Sequence, residues 1–359
     1  MPDSQTGRRI TVGVDTHADV HVAVALDQLG ARLGQLEVHT TLAGYEQLVR
    51  WANEFGPVGT FGVEGTGSYG ADLTRYLRQS QHQALEVNRP DRSTRRRRGK
   101  SDPIDAEAAA RAVLSGQATT IPKTGDGPAE MVRVLKLARD SAVKARTQTI
   151  NQIRAILVNA PAALRANLLG LSTAKLLQRC LTFPAQMPTP PTASMAVQYV
   201  LHTLAGRYRH LDLQARELKA HLQQITVSAA PALTSLLGVG PDTAAALLSA
   251  AGDNPDRLHS EAAFAALCGA SPVPASSGKT TRHRLNRGGN RQANAALHRI
   301  AVVRLRWDPT TQQYMARRRV EGKTTKEVLR CLKRAIAREI YRALCPPPTE
   351  DPPTTTGHL

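Results

Sequence analysis

The chain has 359 residues, 41% apolar and 4% aromatic, so it can bury a substantial core but is poor in the aromatic side chains that stack single-stranded bases. No apolar stretch approaches the roughly 20 residues of a membrane helix, and we see no signal peptide before the first strand. The four cysteines (Cys180, Cys268, Cys331, Cys345) lack metal-ligand spacing. We therefore expect a cytoplasmic protein with reduced thiols. The net charge of +18 predicts a polyanionic partner, because basic side chains that bind phosphates release counterions.

The basic excess is unevenly distributed along the chain. Residues 1–125 hold 15 basic and 14 acidic residues, so nearly all of the excess lies further on. This split predicts a nearly neutral catalytic domain followed by basic, nucleic-acid-binding regions. The domains that we predict are a catalytic domain at 1–125, a helical oligomerisation region at 126–230, a C-terminal domain at 231–345 and a disordered proline-rich tail at 346–359.

The N-terminal residues show the alternation that is typical of strands. Apolar residues alternate over Ile10–Val14 and again over Val20–Leu26, and the short stretch between them is expected to be a hairpin turn. A strand, a helix, a strand, a helix and a strand are predicted next, over 33–38, 42–55, 57–64, 69–79 and 84–87. Three antiparallel strands followed by alternating helices and strands is the order of a ribonuclease-H-like α/β domain.

The rest of the chain is predicted to be helical, which makes the fold class α/β plus all-α. Helical spacing over 129–158 and 196–227, on either side of an irregular insert, predicts an antiparallel hairpin or a coiled-coil arm. Leu233–Gly252 has the helix, Gly-x-Gly turn and helix of helix-hairpin-helix DNA binders, in which backbone N–H groups meet phosphates. An ordinary helical hairpin is the alternative.

Four acidic residues are candidate metal ligands. Asp15 and Glu64 each end an apolar strand, where an unpaired carboxylate is costly to bury. Asp102 and Asp105 share the first turn of a helix predicted over 102–115, with Asp102 as its N-cap. Acids at strand ends can converge at one sheet edge, and carboxylates bind Mg²⁺ (or Mn²⁺), which indicates phosphoryl transfer on nucleic acid. Solvated side chains, a helix cap and a favourable first-turn charge are the structural alternatives.

Two basic segments are candidates for phosphate binding. The run 92–100 precedes the acidic pair, and a solvated loop is its alternative. The second segment includes a Pro/Gly-rich loop with Ser276 and Ser277, where a serine hydroxyl can attack a phosphate if a base or a metal activates it. Serine-rich loops also occur without a catalytic role. The candidate nucleic-acid-binding residues are Arg95, Arg96, Arg97, Arg98, Lys100, Lys279, Arg282, Arg284, Arg287 and Arg291.

Several segments resemble, in order, the insertion-sequence-110-type transposases with a DEDD motif. The resemblance covers roughly residues 10–345 and is carried by VGVDTHADVHV, VEGTGSYG, NRPDRSTRRRRGKSDPIDAEAAA, LLGVGPDTAAAL and LCGASPVPASSGKTTRHRLNRGGNRQANAALHRIA. It implies a Holliday-resolvase-like N-terminal domain and a C-terminal transposase domain with a nucleophilic serine. The matching catalytic positions are Asp15, Glu64, Asp102 and Asp105, which would bind Mg²⁺, and Ser277, with Ser276 as the neighbouring alternative.

The resemblance also implies partners. A homo-oligomer, a dimer or a tetramer, would combine the serine and the acids of different subunits. A structured guide RNA from the element would pair with double-stranded donor and target DNA, and the protein would act in the bacterial cytoplasm at the nucleoid. A recombinase with a covalent protein–DNA intermediate is the first hypothesis. A metal-dependent junction-resolving nuclease that uses water and a non-catalytic nucleic-acid-binding protein are the alternatives.

Overall fold

The computed structural model describes residues 9–88, 101–187, 189–254, 257–276 and 283–345. The chain forms two compact units. The first, called the N-terminal unit below, runs to Gly127 and also includes the later segment Gly252–His259. The second, called the helical unit, comprises Pro128–Ala251 and the residues from Ser260 onward. The four-part division at 125, 230 and 345 stays a prediction.

A mixed sheet is the centre of the N-terminal unit. Its strands are β1 (Ile10–Thr16), β2 (Val20–Leu26), β3 (Arg32–His39), β4 (Val58–Glu64) and β5 (Ala84–Val87). They are arranged in the order β3-β2-β1-β4-β5. The pairs β1–β2 and β2–β3 are antiparallel, whereas β4 joins β1 and β5 joins β4 in parallel. The predicted mixed α/β domain is therefore confirmed, while its assignment as ribonuclease-H-like stays a prediction.

Helices cover both faces of this sheet. They are α1 (Leu42–Glu54), α2 (Ala71–Gln79) and α3 (Asp102–Leu114). Ala23 of β2 belongs to the apolar core that α1 and α2 close, whereas the adjacent Val22 and Val24 pack against α3. Successive residues of β2 are thus buried on opposite faces of the sheet. Both faces of this strand are covered by helices, as is typical of the central layer of an α/β domain.

Two glycines allow α3 to approach the sheet closely. A Cβ atom at Gly13 would lie only 2.0 Å from the carbonyl oxygen of Ala106 and 2.3 Å from the amide nitrogen of Ala110. A Cβ atom at Gly62 would lie 2.6 Å from a methyl group of Val113. Because neither position has room for a side chain, the backbone of α3 lies directly against β1 and β4.

The segment that returns to the N-terminal unit is tied to it by polar contacts. Asn254 donates from its side-chain amide to the carbonyl oxygen of Pro122 at 2.9 Å. The side chain of Asp253 accepts a hydrogen bond from the amide of Gly127 at 3.2 Å. No local pattern in the sequence indicated this association, because the partners are more than a hundred residues apart.

Two long helices pack antiparallel in the helical unit. They are α4 (Pro128–Val158) and α7 (Ala193–Ala229), and the connection between them holds two short helices that the sequence did not indicate, α5 (Ala162–Leu168) and α6 (Thr173–Cys180). The start of α4 meets the end of α7 around Val132 and Leu222, and the end of α4 meets the start of α7 around Ile153 and Leu201. The antiparallel arrangement is observed, and coiled-coil packing stays a prediction.

Shorter elements complete the helical unit. They are α8 (Pro231–Thr234), α9 (Pro241–Ala251), α10 (Glu261–Leu267), the hairpin strands β6 (Val273–Pro274) and β7 (His283–Arg284), α11 (Arg291–Trp307), α12 (Pro309–Val320) and α13 (Thr325–Leu344). The first helix of the predicted helix-hairpin-helix element is only the single turn α8. In the first turn of α9, Asp242 accepts hydrogen bonds from Lys136, Arg139 and Arg299. DNA binding by this element stays a prediction. Among the described helices, none has an apolar window long enough to cross a bilayer.

Candidate metal centre

Asp15 and Glu64 lie at the same edge of the sheet. The parallel strands β1 and β4 are aligned up to the pair Val14 and Val63, so the two acids follow side by side. The hydroxyl of Thr16 donates a hydrogen bond of 2.8 Å to the carbonyl oxygen of Glu64 and ties the two strand ends together. Asp15 is 7% exposed and Glu64 is 6% exposed. Two buried carboxylates therefore share one edge, and their catalytic role stays a prediction.

The start of α3 corrects one expectation. Ser101, with φ −148° and ψ 150°, is the N-cap, and its carbonyl oxygen accepts hydrogen bonds from the amides of Ile104 and Asp105. Asp102 is consequently the first helical residue and not the cap, because the helix begins one residue earlier than Pro103 suggested. The carboxylate of Asp102 lies 3.4 Å from Nε2 of His17.

The predicted acids interact electrostatically. Burial is the main cause that raises the pKa of Asp15, and the negative charges of Glu64, Asp105 and Asp102 raise it further, whereas His17 lowers it. Asp105 is buried in the first turn of α3, while the side chain of Asp102 is about half exposed. The other three predicted acids thus form an electrostatic cluster around Asp15, in which a cation would offset the repulsion.

His17 is a member of this cluster that the sequence reasoning missed. Its Nε2 atom lies 3.3 Å from Oδ2 of Asp15 and 3.4 Å from Oδ1 of Asp102. Within the described part of the chain, this buried nitrogen has no hydrogen-bond partner. The signal in the sequence is its position two residues after Asp15, within the predicted hairpin turn.

The donor set fits a divalent cation. Ligand atoms of Asp15, His17 and Asp102 lie within 4.8 Å of one another. Glu64 and Asp105 are buried and act electrostatically on Asp15, but this ligand group does not include them. Hard cations prefer such oxygen ligands, and a buried polar atom without a hydrogen bond is a further indication that another group belongs there. The cluster can therefore hold a metal ion at the edge of the sheet.

The predicted serine loop connects β6 and β7 in the helical unit. Val273 pairs with Arg284 and Pro274 pairs with His283, so the hairpin brackets the loop. Ser276 is exposed, whereas Ser277, Lys279 and Arg282 lie outside the described residues, as do Arg95, Arg96, Arg97, Arg98 and Lys100. The remaining predicted phosphate-binding residues, Arg284, Arg287 and Arg291, are exposed.

A hydrogen-bond network fixes the base of this hairpin. Asn286 donates from its amide to the hydroxyl of Ser271 at 2.8 Å. Asn294 donates to the carbonyl oxygens of Cys268 and Gly269 at 2.8 and 3.0 Å, and its own oxygen accepts from Nζ of Lys333 at 2.5 Å. The described residues that flank the hairpin are therefore held by a defined, partly buried hydrogen-bond network.

Two family models match the chain in the regions just described. Residues 12–160, which include the acidic cluster, match the model DEDD_Tnp_IS110, described as a transposase. Residues 230–316, which include the serine loop, match a model described as a transposase of the IS116/IS110/IS902 family. Both models describe transposases of one family, and together they match more than half of the chain. The chain belongs to the IS110 family.

A curated relative supports this assignment over a shorter region. The "Insertion element IS110 uncharacterized 43.6 kDa protein" of Streptomyces coelicolor is 33% identical over 152 residues. The alignment covers 41% of this chain and 37% of that protein. The chain therefore aligns with little more than a third of the length of that relative.

Proposed function

We propose that the chain is a metal-dependent DNA transposase that cuts and rejoins DNA by phosphoryl transfer. The observation that supports this most directly is the cluster of Asp15, Glu64, Asp102 and Asp105 at one end of the sheet. The family assignment supports the same class of activity. We propose Mg²⁺ or Mn²⁺ as the metal, because the donor set is mainly carboxylate oxygen.

The four acids would hold the metal and position the scissile phosphate. When bound, a divalent cation polarises a phosphoryl oxygen and stabilises the charge that develops in an in-line displacement. Buried Asp15 and Glu64 are fixed by the strands, and Asp105 is fixed by the close packing of α3, so their oxygens need little rearrangement. Such preorganisation is what electrostatic catalysis requires.

The proposed nucleophile is Ser277. Its Oγ would attack the phosphorus, so that an Oγ–P bond forms as a P–O bond of the DNA breaks. The serine proton passes to the departing strand's oxygen, which thereby becomes a hydroxyl group. A strand hydroxyl would then attack the same phosphorus, restore a phosphodiester and return the proton to serine. No external oxidant, reductant or energy source is needed, because each step exchanges one phosphoester for another.

The proposed partners are double-stranded DNA of the element ends and target, a structured guide RNA, and further copies of this chain as a dimer or a tetramer. The net charge of +18 supports a nucleic-acid partner. The exposed Arg284, Arg287 and Arg291 beside the serine loop support phosphate contacts in that region. The guide RNA, the oligomer and a place at the bacterial nucleoid are inferred from the family resemblance.

Three variants of the full-length protein test this function on supercoiled plasmids that carry element ends. We expect Ser277→Ala and Asp102→Ala to abolish a covalent protein–DNA adduct, while the control Ser276→Ala retains it. Cleavage that survives in Ser277→Ala would favour the junction-resolving nuclease that uses water. Unchanged recombination in both Ser277→Ala and Asp102→Ala would favour a non-catalytic binding protein. If only Ser276→Ala lost the adduct, the nucleophile would be Ser276 and not Ser277.

A further inference from the structure

The position of His17 distinguishes this cluster from a site made only of carboxylates. Its Nε2 atom is 3.3 Å from an oxygen of Asp15 and 3.4 Å from an oxygen of Asp102. Two ligands that are adjacent on an octahedral ion, each about 2.1 Å from the metal, lie about 3 Å apart. Nε2 of His17 therefore already lies at nearly the spacing of a neighbouring ligand from both carboxylates.

An ordinary histidine–carboxylate ion pair explains this geometry less well. Charge-assisted N–H···O bonds are about 2.7–2.9 Å long, and both distances from Nε2 are longer. Among the described residues, Nε2 makes no hydrogen bond to either carboxylate or to any other group, although the atom is buried. A nitrogen lone pair directed at a metal needs no such bond.

We propose that His17 is a nitrogen ligand of the metal ion held by Asp15 and Asp102, and that it makes the site prefer Mn²⁺ or Co²⁺ to Mg²⁺. This inference rests on the proposed function, in which the cluster binds a divalent metal. Imidazole suits first-row transition metals, whereas Mg²⁺ is held mainly through oxygen ligands and water. A single nitrogen ligand therefore raises affinity for Mn²⁺ more than affinity for Mg²⁺.

Mn²⁺ bound to the full-length protein is the probe. Electron paramagnetic resonance measures bound Mn²⁺ and its displacement by Mg²⁺, and electron spin echo modulation detects a ¹⁴N nucleus directly bonded to the ion. We expect the wild-type protein to show ¹⁴N modulation and His17→Ala and His17→Gln to lose it. Mn²⁺ affinity should fall at least tenfold, on the scale of metal-site lesions, with a smaller loss for Mg²⁺. The control is His39→Ala, because His39 is exposed on β3 in the same unit.

The outcomes separate this inference from the proposed function. If Mn²⁺ binds the wild-type protein without ¹⁴N modulation, and Asp15→Asn abolishes that binding, the metal site stands and the role of His17 is overturned. If Asp15→Asn binds Mn²⁺ as well as the wild type, or if the wild type binds none, both the metal site and the role of His17 are overturned. Equal Mn²⁺ and Mg²⁺ losses in the folded His17 variants would overturn the proposed selectivity.

Discussion

The hydroxyl of Thr16 donates a 2.8 Å hydrogen bond to the backbone carbonyl oxygen of Glu64. This bond joins the end of the strand that carries Asp15 to the end of the strand that carries the second buried acid. Both Thr16 and Glu64 are less than a tenth exposed, so water cannot replace the bond easily. The spacing of the proposed metal ligands Asp15 and Glu64 therefore depends on a residue that would not itself bind the metal.

Replacing Thr16 with valine tests this connection. The substitution keeps the β-branched shape but removes a hydrogen bond from a buried carbonyl oxygen, which costs about 1 kcal/mol or more. We expect the free energy of unfolding in urea to fall by that amount. Thr60→Val is the matched control, because the Thr60 hydroxyl bonds the exposed side chain of Gln83 and its loss should cost well under 1 kcal/mol. Equal losses in the two variants would contradict a special role for the bond.

The contact between Gly13 and α3 gives a second prediction. Gly13→Ala places a methyl group 2.0 Å from the carbonyl oxygen of Ala106, so strand and helix must separate. We expect a loss of about 1–3 kcal/mol in unfolding free energy and weaker Mn²⁺ binding, because Asp102 and Asp105 move with the helix. Calorimetry and Mn²⁺ titration measure the two effects. Gly67→Ala is the control, because a Cβ atom there meets nothing within 4 Å.

Replacing Asp15 with asparagine should change the thermal stability in opposite directions without and with metal. Burial and the neighbouring carboxylates raise its pKa in the folded protein above the ordinary value of 3.8, so the folded state holds this proton more tightly than the unfolded chain does. The resulting penalty is fully present at neutral pH and is relieved as pH falls through the raised pKa. Asp15→Asn should therefore raise the melting temperature at pH 7 in EDTA, and the gain should shrink as the pH falls toward 4.

The same variant should lose stabilisation by metal. Mn²⁺ at a hundred times its dissociation constant adds about 2.7 kcal/mol to the unfolding free energy of a protein that binds it only when folded. Melting curves of Asp15→Asn with and without Mn²⁺ should coincide, whereas those of the wild type should not. If Mn²⁺ raised the melting temperature of Asp15→Asn as much as that of the wild type, the metal site would be contradicted.

The buried His21 should make the stability of the N-terminal unit depend on pH. Its ring is fully buried and stacks on Tyr45 with centroids 5.9 Å apart, and burial lowers its pKa below the ordinary 6.5. Below about pH 6.5 the unfolded chain binds a proton that the folded protein does not, so stability falls as pH decreases until the lowered pKa is reached. We expect His21→Phe to reduce the fall in melting temperature between pH 7 and pH 5, and His39→Phe, at an exposed position, to leave it unchanged. An unchanged slope in His21→Phe would refute this cause.

Local sequence patterns determined most of the secondary structure and the candidate acids. Alternating apolar residues predicted β1 and β2 within one or two residues, because a strand buries side chains with a period of two. Helical spacing predicted α4 and α7, and Pro161 marked the break after Val158, since proline cannot continue a helix. Asp15 and Glu64 were recognisable because a carboxylate at the end of an apolar strand needs a reason to be there.

Only the tertiary structure decided how these pieces meet. The sequence around Gly13 does not show that Ala106 packs against it. The sequence around His17 indicates a turn, and only the fold shows that Asp102 lies beside it. The segment Gly252–His259 joins the N-terminal unit through contacts with residues more than a hundred positions away. Periodicity and capping report interactions within a few residues, whereas these contacts depend on which backbones approach closely enough to touch, and that is fixed by the packing of the whole unit.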